Sequence, residues 1–313
     1  MRLAEALRLL LFIGIVAAVY LMAAGMLLRA LFARLRGRRP TLLQRWTRRL
    51  VFSVAIVGLA CFTYGYFIEP SWPQVTHVRI PTEKRPPGSR PIRIALISDT
   101  HSNPRPRLEE RLPGLIEGEN PDLILFAGDA INSDEGLPVF KELLTRLSKI
   151  APTFAVRGNW DVDRWSDHDL FGGTGARELD GQVASLEIDS TPVSIVGIAV
   201  GSEALARRTL QKVPDGALTI FLHHYPDLIP QIARRNVDLY CAGHTHGGQV
   251  ALPFYGAIIT LSKFGKEYES GLYRVGGTWL YVNRGIGMQG RPSPPVRFFA
   301  RPEITILELV SPT

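Results

Sequence analysis

The chain has 313 residues, 46% of them hydrophobic, which is room for one large domain with something smaller beside it or for two modest domains. Its formal charge of +7 is unevenly placed: residues 1–75 carry ten Arg against two Glu, and the remainder carries 26 basic against 27 acidic residues. A near-neutral remainder gives no support to nucleic-acid binding, which would need a basic face on the folded domain, and two cysteines, Cys61 and Cys241, exclude a disulfide scaffold.

Residues 9–28 and 50–68 contain no charged side chain, and each run is close to the roughly 20 residues that a helix needs to cross a bilayer. The first exceeds a signal-peptide core and no cleavage site follows it, so both read as transmembrane helices. Between them stand Arg29, Arg34, Arg36, Arg38, Arg39, Arg45, Arg48 and Arg49 without an acidic residue. An excess of arginine marks a cytoplasmic loop and suits anionic lipid headgroups. The expected location is therefore an integral protein of the cell membrane, with everything after Ile68 outside the cytoplasm.

Residues 76–91 read as a linker, and Pro91 marks the start of the soluble fold, a domain over 92–313. Ile92–Ser98 is an apolar run of strand length and ends in Asp99-Thr100-His101. Residues 108–116 read as a helix. Asp122–Ala127 is a second buried strand, ending in Gly128-Asp129. After helical periodicity over 137–150, Thr153–Val156 is a third strand, ending in Gly158-Asn159-Trp160-Asp161. Three strand–helix units in succession predict parallel strands with right-handed crossovers.

A β-richer half follows. Val183–Ile188 and Val193–Ala199 read as a hairpin, residues 203–213 and 228–236 as helices, and Leu218–Leu222 as a strand delivering His223-His224-Tyr225-Pro226. Val237–Tyr240 is a strand leading into Gly243-His244-Thr245-His246-Gly247-Gly248-Gln249, where two imidazoles at i and i+2 share one side of an extended backbone. Strands around Tyr273 and over 280–282 precede the loop Asn283-Arg284-Gly285-Ile286-Gly287, and residues 304–309 form a last strand.

Five polar clusters thus follow five predicted strands: Asp99/His101, Asp129, Asn159, His224 and His244/His246. Singly, each has an ordinary reading, since Asp after Gly is a common turn residue. Together, and each at a strand end, they read as metal ligands. Mixed nitrogen and oxygen donors suit Mn, Fe or Zn rather than Mg or Ca.

The set resembles the calcineurin-like metallophosphoesterase superfamily, with its D-x-H, G-D, G-N-H-[DE], lone His and G-H-x-H motifs, over about residues 92–309. It is closest to a membrane-anchored branch that includes transmembrane proteins with a metallophosphoesterase domain. The resemblance implies an αββα sandwich and two divalent ions. Asp99, His101 and His246 would hold one ion, Asn159, His224 and His244 the other, and Asp129 would bridge them. Asp129, Asn159 and His224 would carry catalysis through an activated water. His224 is preferred to His223 because His224-Tyr225-Pro226 fits the family's His-x-Pro form. One departure is Trp160, which stands where the family has the histidine that protonates the leaving group; Asp161, His168 and His223 are the nearest substitutes.

The expected activity is a metal-dependent hydrolysis of a phosphoester or phosphoanhydride, on a phosphorylated small molecule or a lipid. Some members of the branch cleave the pyrophosphate of UDP-2,3-diacylglucosamine. Such a bond needs no protonated leaving group, but that substrate is cytoplasmic whereas the arginine loop places the domain outside. A general phosphodiesterase acting outside the cytoplasm, or a non-catalytic metal- or phospholipid-binding domain degenerate at Trp160, is the alternative.

Overall fold

The computed structural model of the protein describes residues 3–289 and 295–312. It begins with two long helices, α1 (Leu3–Leu35) and α2 (Leu42–Thr63). Neither contains proline. Thr41 starts α2 with a capping box, accepting from the Gln44 N–H at 3.2 Å while Gln44 accepts from the Thr41 N–H at 3.0 Å. The helix continues through a π-helical turn over Tyr64–Ile68 and a tighter turn over Glu69–Ser71. The helices Leu3–Leu35 and Leu42–Ser71 are long and apolar enough to cross a membrane. Both exceed the expected spans of 9–28 and 50–68, because the polar turns at their ends are helical too. They pack together where Tyr20 donates to the Ala55 carbonyl at 3.1 Å.

Only Trp72 and Pro73 separate this helix from β1 (Gln74–Pro81). The first part of the expected linker over 76–91 is therefore a strand, paired in parallel with the last strand from Gln74↔Glu303 to Pro81↔Val310. An edge strand needs only one apolar side, so its sequence lacks the continuous apolar run of a central strand.

The chain then runs through β2 (Ile92–Ile97), α3 (Leu112–Glu117), β3 (Leu123–Phe126), α4 (Leu137–Ile150), β4 (Thr153–Ala155), α5 (Asn159–Trp165) and β5 (Arg177–Glu178). Next come β6 (Gln182–Ile188), β7 (Thr191–Ile198), α6 (Ala206–Leu210), β8 (Leu218–His223), α7 (Ile229–Ile232) and β9 (Leu239–Ala242). The hairpin of β10 (Ala251–Leu252) and β11 (Gly256–Ala257) precedes β12 (Gly271–Val275), β13 (Thr278–Val282) and β14 (Glu303–Val310). The helices expected over 108–116, 203–213 and 228–236 are shorter than the apolar pattern suggests. Pro113 and Pro230 occupy first turns, where a missing N–H is harmless.

One six-stranded sheet has the order β1-β14-β2-β3-β4-β5, the other β12-β13-β9-β8-β7-β6. Their facing sides bury alternate residues: Ile92, Ile94, Leu96, Leu123 and Leu125 from one sheet meet Val193, Ile195, Leu218, Ile220 and Leu222 from the other. The intervening residues point outward. Ile97, Ile124 and Phe126 pack under α3 and α4, and Val196, Phe221 and Tyr240 pack under α6 and α7. This is the expected four-layer αββα sandwich. Strands β2, β3 and β4 are mutually parallel, as are β7, β8 and β9, so their carboxyl ends open together into one crevice.

The two long helices meet this domain directly. Glu5 accepts from the N–H and hydroxyl of Thr260, both at 3.0 Å. Glu69 accepts from the N–H groups of Phe299 at 3.0 Å and Ala300 at 2.6 Å. The Gly65 carbonyl accepts from the Arg297 N–H at 2.9 Å; a Cβ at Gly65 would lie 2.9 Å from the Arg297 carbonyl oxygen, so this approach requires glycine.

Candidate metal centre

The structure brings all five predicted clusters to the carboxyl ends of β2, β3, β4, β8 and β9. Donor atoms of Asp99, His101 and His246 lie within 4.8 Å of one another, and so do those of Asp99, Asp129 and His224. Asp99 is common to both groups, and Asp129 Oδ2 of the second reaches toward the first, 3.3 Å from His224 Nε2 and 3.6 Å from His101 Nε2. Asp99 Oδ1 is 3.4 Å from His246 Nε2. The His244 ring lies 5.2 Å from that of His224, and the His244 backbone N–H donates to both Asp99 oxygens at 3.1–3.2 Å. Asn159 opens α5, one residue before the Trp160 N–H that donates to Asp129 Oδ1 at 2.8 Å.

Local backbone geometry sets these positions. Asp99, His101, Asp129, His244 and His246 all have positive φ, between 42° and 71°. Left-handed backbone is costly for residues other than glycine and concentrates where function requires it. Glycines provide the remaining clearance: a Cβ at Gly243 would meet Asp99 Oδ2 at 2.5 Å, and one at Gly158 would overlap Asp129 Oδ1. The Asn283 loop braces Asp99 from behind. Gly287 N–H donates to the Asp99 carbonyl at 2.7 Å, and Asn283 accepts from Ser98 at 3.0 Å.

The donor set fits divalent ions. His101 Nε2, His224 Nε2 and Asn159 Oδ1 are buried and complete no hydrogen bond, although buried polar atoms are normally satisfied. The other ring nitrogen of His224 is fixed on the Ala127 carbonyl at 2.7 Å, as a ligating imidazole's usually is. Burial pushes the Asp99 carboxyl up to about 6 against the pull of His224, and the neighbouring Asp129 charge adds to the rise. Burial would also raise Asp129, but His224 beside it holds that carboxyl low. Burial disfavours a charged His224 as well, yet Asp129 keeps it up at about 9. Two buried carboxylates this close are a natural seat for cations.

The family now follows from sequence comparison. The calcineurin-like phosphoesterase pattern matches residues 92–248, and the uncharacterized metallophosphoesterase YkuE of Bacillus subtilis is 33% identical over 79% of this chain and 90% of its own. This chain belongs to the calcineurin-like phosphoesterases. The phosphodiesterase YaeI of Escherichia coli is 29% identical over 80% of this chain and 93% of its own. A transmembrane protein with metallophosphoesterase domain from Danio rerio is 27% identical over 89% of this chain and 67% of its own. As a member of this family, the protein is a metal-dependent phosphoesterase.

Within that family's frame, the histidine and acid alternatives separate. His223 points away from the centre: Nδ1 meets the Ile198 carbonyl at 2.8 Å, and Nε2 is 3.9 Å from Glu203. His168 pairs with Asp134 at 2.6 Å. Asp161 is buried and fully engaged, accepting from the N–H groups of Asp129 and Ala130 at 2.8 Å and Gly158 at 2.9 Å. It ties the β3 loop to the β4 loop, and burial pushes its carboxyl up to about 7. The Trp160 and His101 rings meet in a T-shaped contact with centroids 5.6 Å apart, and the Arg164 guanidinium lies over the Trp160 ring at 4.2 Å.

Sequence reasoning missed Arg297, which is fully buried. Its guanidinium donates toward His246 Nδ1 at 3.3 Å and bonds the carbonyls of Ala300 at 2.7 Å and Arg284 at 2.9 Å. No local motif surrounds it, so only the fold reveals it. Arg105 and Arg107 were also unflagged; they line a cleft beside His101 with Ile286 and Gly287.

Proposed function

We propose that the protein is a membrane-anchored phosphoesterase that cleaves a phosphoanhydride or phosphodiester of a lipid-linked substrate, with its catalytic domain on the face opposite the arginine loop. The observation that carries this reading is the convergence of seven oxygen- and nitrogen-bearing side chains at the mouth of a sandwich whose polypeptide begins with two apolar helices. Asp99, His101 and His246 are assigned to one ion and Asn159, His224 and His244 to the other, with Asp129 between them; Mn, Fe or Zn suits the donors. When bound, such an ion pair activates water and neutralises phosphate charge.

The chain's own residues orient the reaction. Asp161 fixes the Asp129 backbone, the Ala127 carbonyl fixes His224, and Arg105 and Arg107 offer charge to a phosphate entering beside His101. Trp160 supplies no titratable proton. The chemistry is therefore suited to leaving groups that depart as anions, such as the phosphate of a pyrophosphate-linked nucleotide lipid. The near-neutral charge of the domain lends no support to a nucleic-acid substrate.

The test has two parts. Purified protein loaded in turn with Mn, Fe and Zn is assayed on an aryl phosphodiester and on UDP-2,3-diacylglucosamine; absence of turnover with every metal would leave only a binding role. Protease access to residues beyond 75 in sealed vesicles decides the orientation.

A further inference from the structure

Beyond Trp72, the described residues expose five large apolar side chains: Leu205, Phe254, Tyr255, Leu261 and Phe299. Leu205 stands on the helix side of the second sheet. The other four occupy loop tips, and three have left-handed backbone, with φ of 63° at Phe254, 59° at Leu261 and 53° at Phe299. Bulky residues in that region cost roughly 1–2 kcal/mol each. Neither packing nor solubility favours such residues at exposed, strained positions, where Asn or Gly would serve better.

All three tips are tied to the ends of α1 and α2. Leu261 follows Thr260, which Glu5 of α1 holds. Phe299 is held through its N–H by Glu69, just past α2. Phe254 and Tyr255 form the tip of the β10–β11 hairpin, and that hairpin's base bonds to Phe298 through Ala251 N–H at 2.8 Å. The Phe298 ring in turn meets Tyr64 at 6.1 Å. The apolar surface of α2 is therefore continuous with these tips. Tyr64, Tyr66 and Trp72 lie on the same end, and Lys263 and Lys266 border the tips, an aromatic and basic mixture that suits the headgroup level of a bilayer. Arg107, in the cleft beside His101, is within electrostatic reach of Tyr66.

We propose that Phe254, Tyr255, Leu261 and Phe299 form an apolar collar that inserts at the headgroup–acyl boundary of the bilayer holding α1 and α2, so that the metal centre opens onto lipid and takes an amphiphilic phosphate from the membrane plane. The entry route rests on the phosphoesterase reading; the insertion does not. The occupant is the lipid itself, because the collar adjoins helices that already require lipid around them.

The full chain is reconstituted into vesicles of phosphatidylcholine and phosphatidylglycerol. An environment-sensitive label is attached to Phe254→Cys or Leu261→Cys in a Cys61→Ser background, Cys241 being buried. Spin-labelled lipid should quench these labels as strongly as one at Phe67, and should leave a label at Ser190 unquenched, since the β6–β7 turn lies at the opposite end of the strands. Unquenched labels at 254 and 261 beside a quenched one at 67 would overturn the collar. Label–label quenching that vanishes on dilution with lipid would overturn it in favour of a second copy.

A second arm uses Phe254→Asn with Leu261→Asn, since Asn tolerates left-handed backbone and should not unfold the loops. Turnover of a long-alkyl p-nitrophenyl phosphodiester in the vesicle should fall about tenfold or more relative to a water-soluble aryl phosphodiester. An unchanged ratio would overturn the lipid route. Loss or absence of activity on the soluble ester in the parent protein would instead overturn the phosphoesterase reading, leaving the quenching result to stand alone.

Discussion

Arg297 donates from its guanidinium toward Nδ1 of His246 at 3.3 Å while its backbone N–H bonds to Gly65 at 2.9 Å. One residue thus touches both the metal centre and the end of an apolar helix. No carboxylate pairs with the buried guanidinium among the described residues; main-chain carbonyls of Arg284, Gly285, Gly287 and Ala300 surround it instead. Burial pulls its pKa down to about 9, against the attraction of Asp99.

Arg297→Lys tests that linkage. A lysine cannot reproduce the planar fork, so several buried carbonyls would lose partners, at a cost of about 2–4 kcal/mol. Denaturant unfolding should show the loss, and metal analysis should show weaker binding because His246 is no longer steadied. A variant unchanged in both would mean that Arg297 is only packing.

Asp129→Ala should abolish turnover and lower metal content below two equivalents. The Asp129 carboxylate lies within 3.6 Å of both His101 and His224, and its removal leaves two cations without the anion between them. A fully loaded, active variant would end the bridging assignment.

The adjacent histidines should behave oppositely. His224→Ala is expected to lose activity by orders of magnitude. His223→Ala should keep most of its activity and lose about 1–3 kcal/mol of stability, because a buried partner of the Ile198 carbonyl disappears. The comparison needs kcat/KM and unfolding curves for both proteins. A reversed order would mean that the other histidine ligates.

Trp160 makes a kinetic prediction. Without a positioned acid, which typically contributes about 10²–10⁴-fold, the rate should depend steeply on leaving-group pKa. Trp160→His should accelerate alkyl esters selectively, since position 160 already lies against His101. A shallow slope in the wild type would show that another group delivers the proton.

The candidate ligand clusters were legible because each is a short local motif at a strand end, where periodicity also locates the strand. His224 could be preferred to His223 because His224-Tyr225-Pro226 fits the family's His-x-Pro form; in the structure the two successive side chains face opposite ways, His223 toward Ile198 and His224 toward Asp129. β1 was not legible, because its pairing with β14 joins residues more than 220 positions apart and nothing in its polar sequence announces it. Glu69 and Arg297 were hidden for the same reason: a lone buried charge acquires meaning only from distant carbonyls and amides. Asp161 could be read as an acid, but not as the acceptor of three N–H groups.

The absence of a slack tether between Ser71 and Gln74 has a kinetic consequence. A domain on a long flexible stalk samples a volume of solution, whereas one fused to its anchor by hydrogen bonds at Glu5, Gly65 and Glu69 has almost no reach. For the lipid-linked substrate proposed above, encounter then becomes a two-dimensional search. The rate should follow the mole fraction of substrate in the surface rather than its bulk concentration, and inert lipid should dilute the reaction as an added volume of water would slow an enzyme in solution.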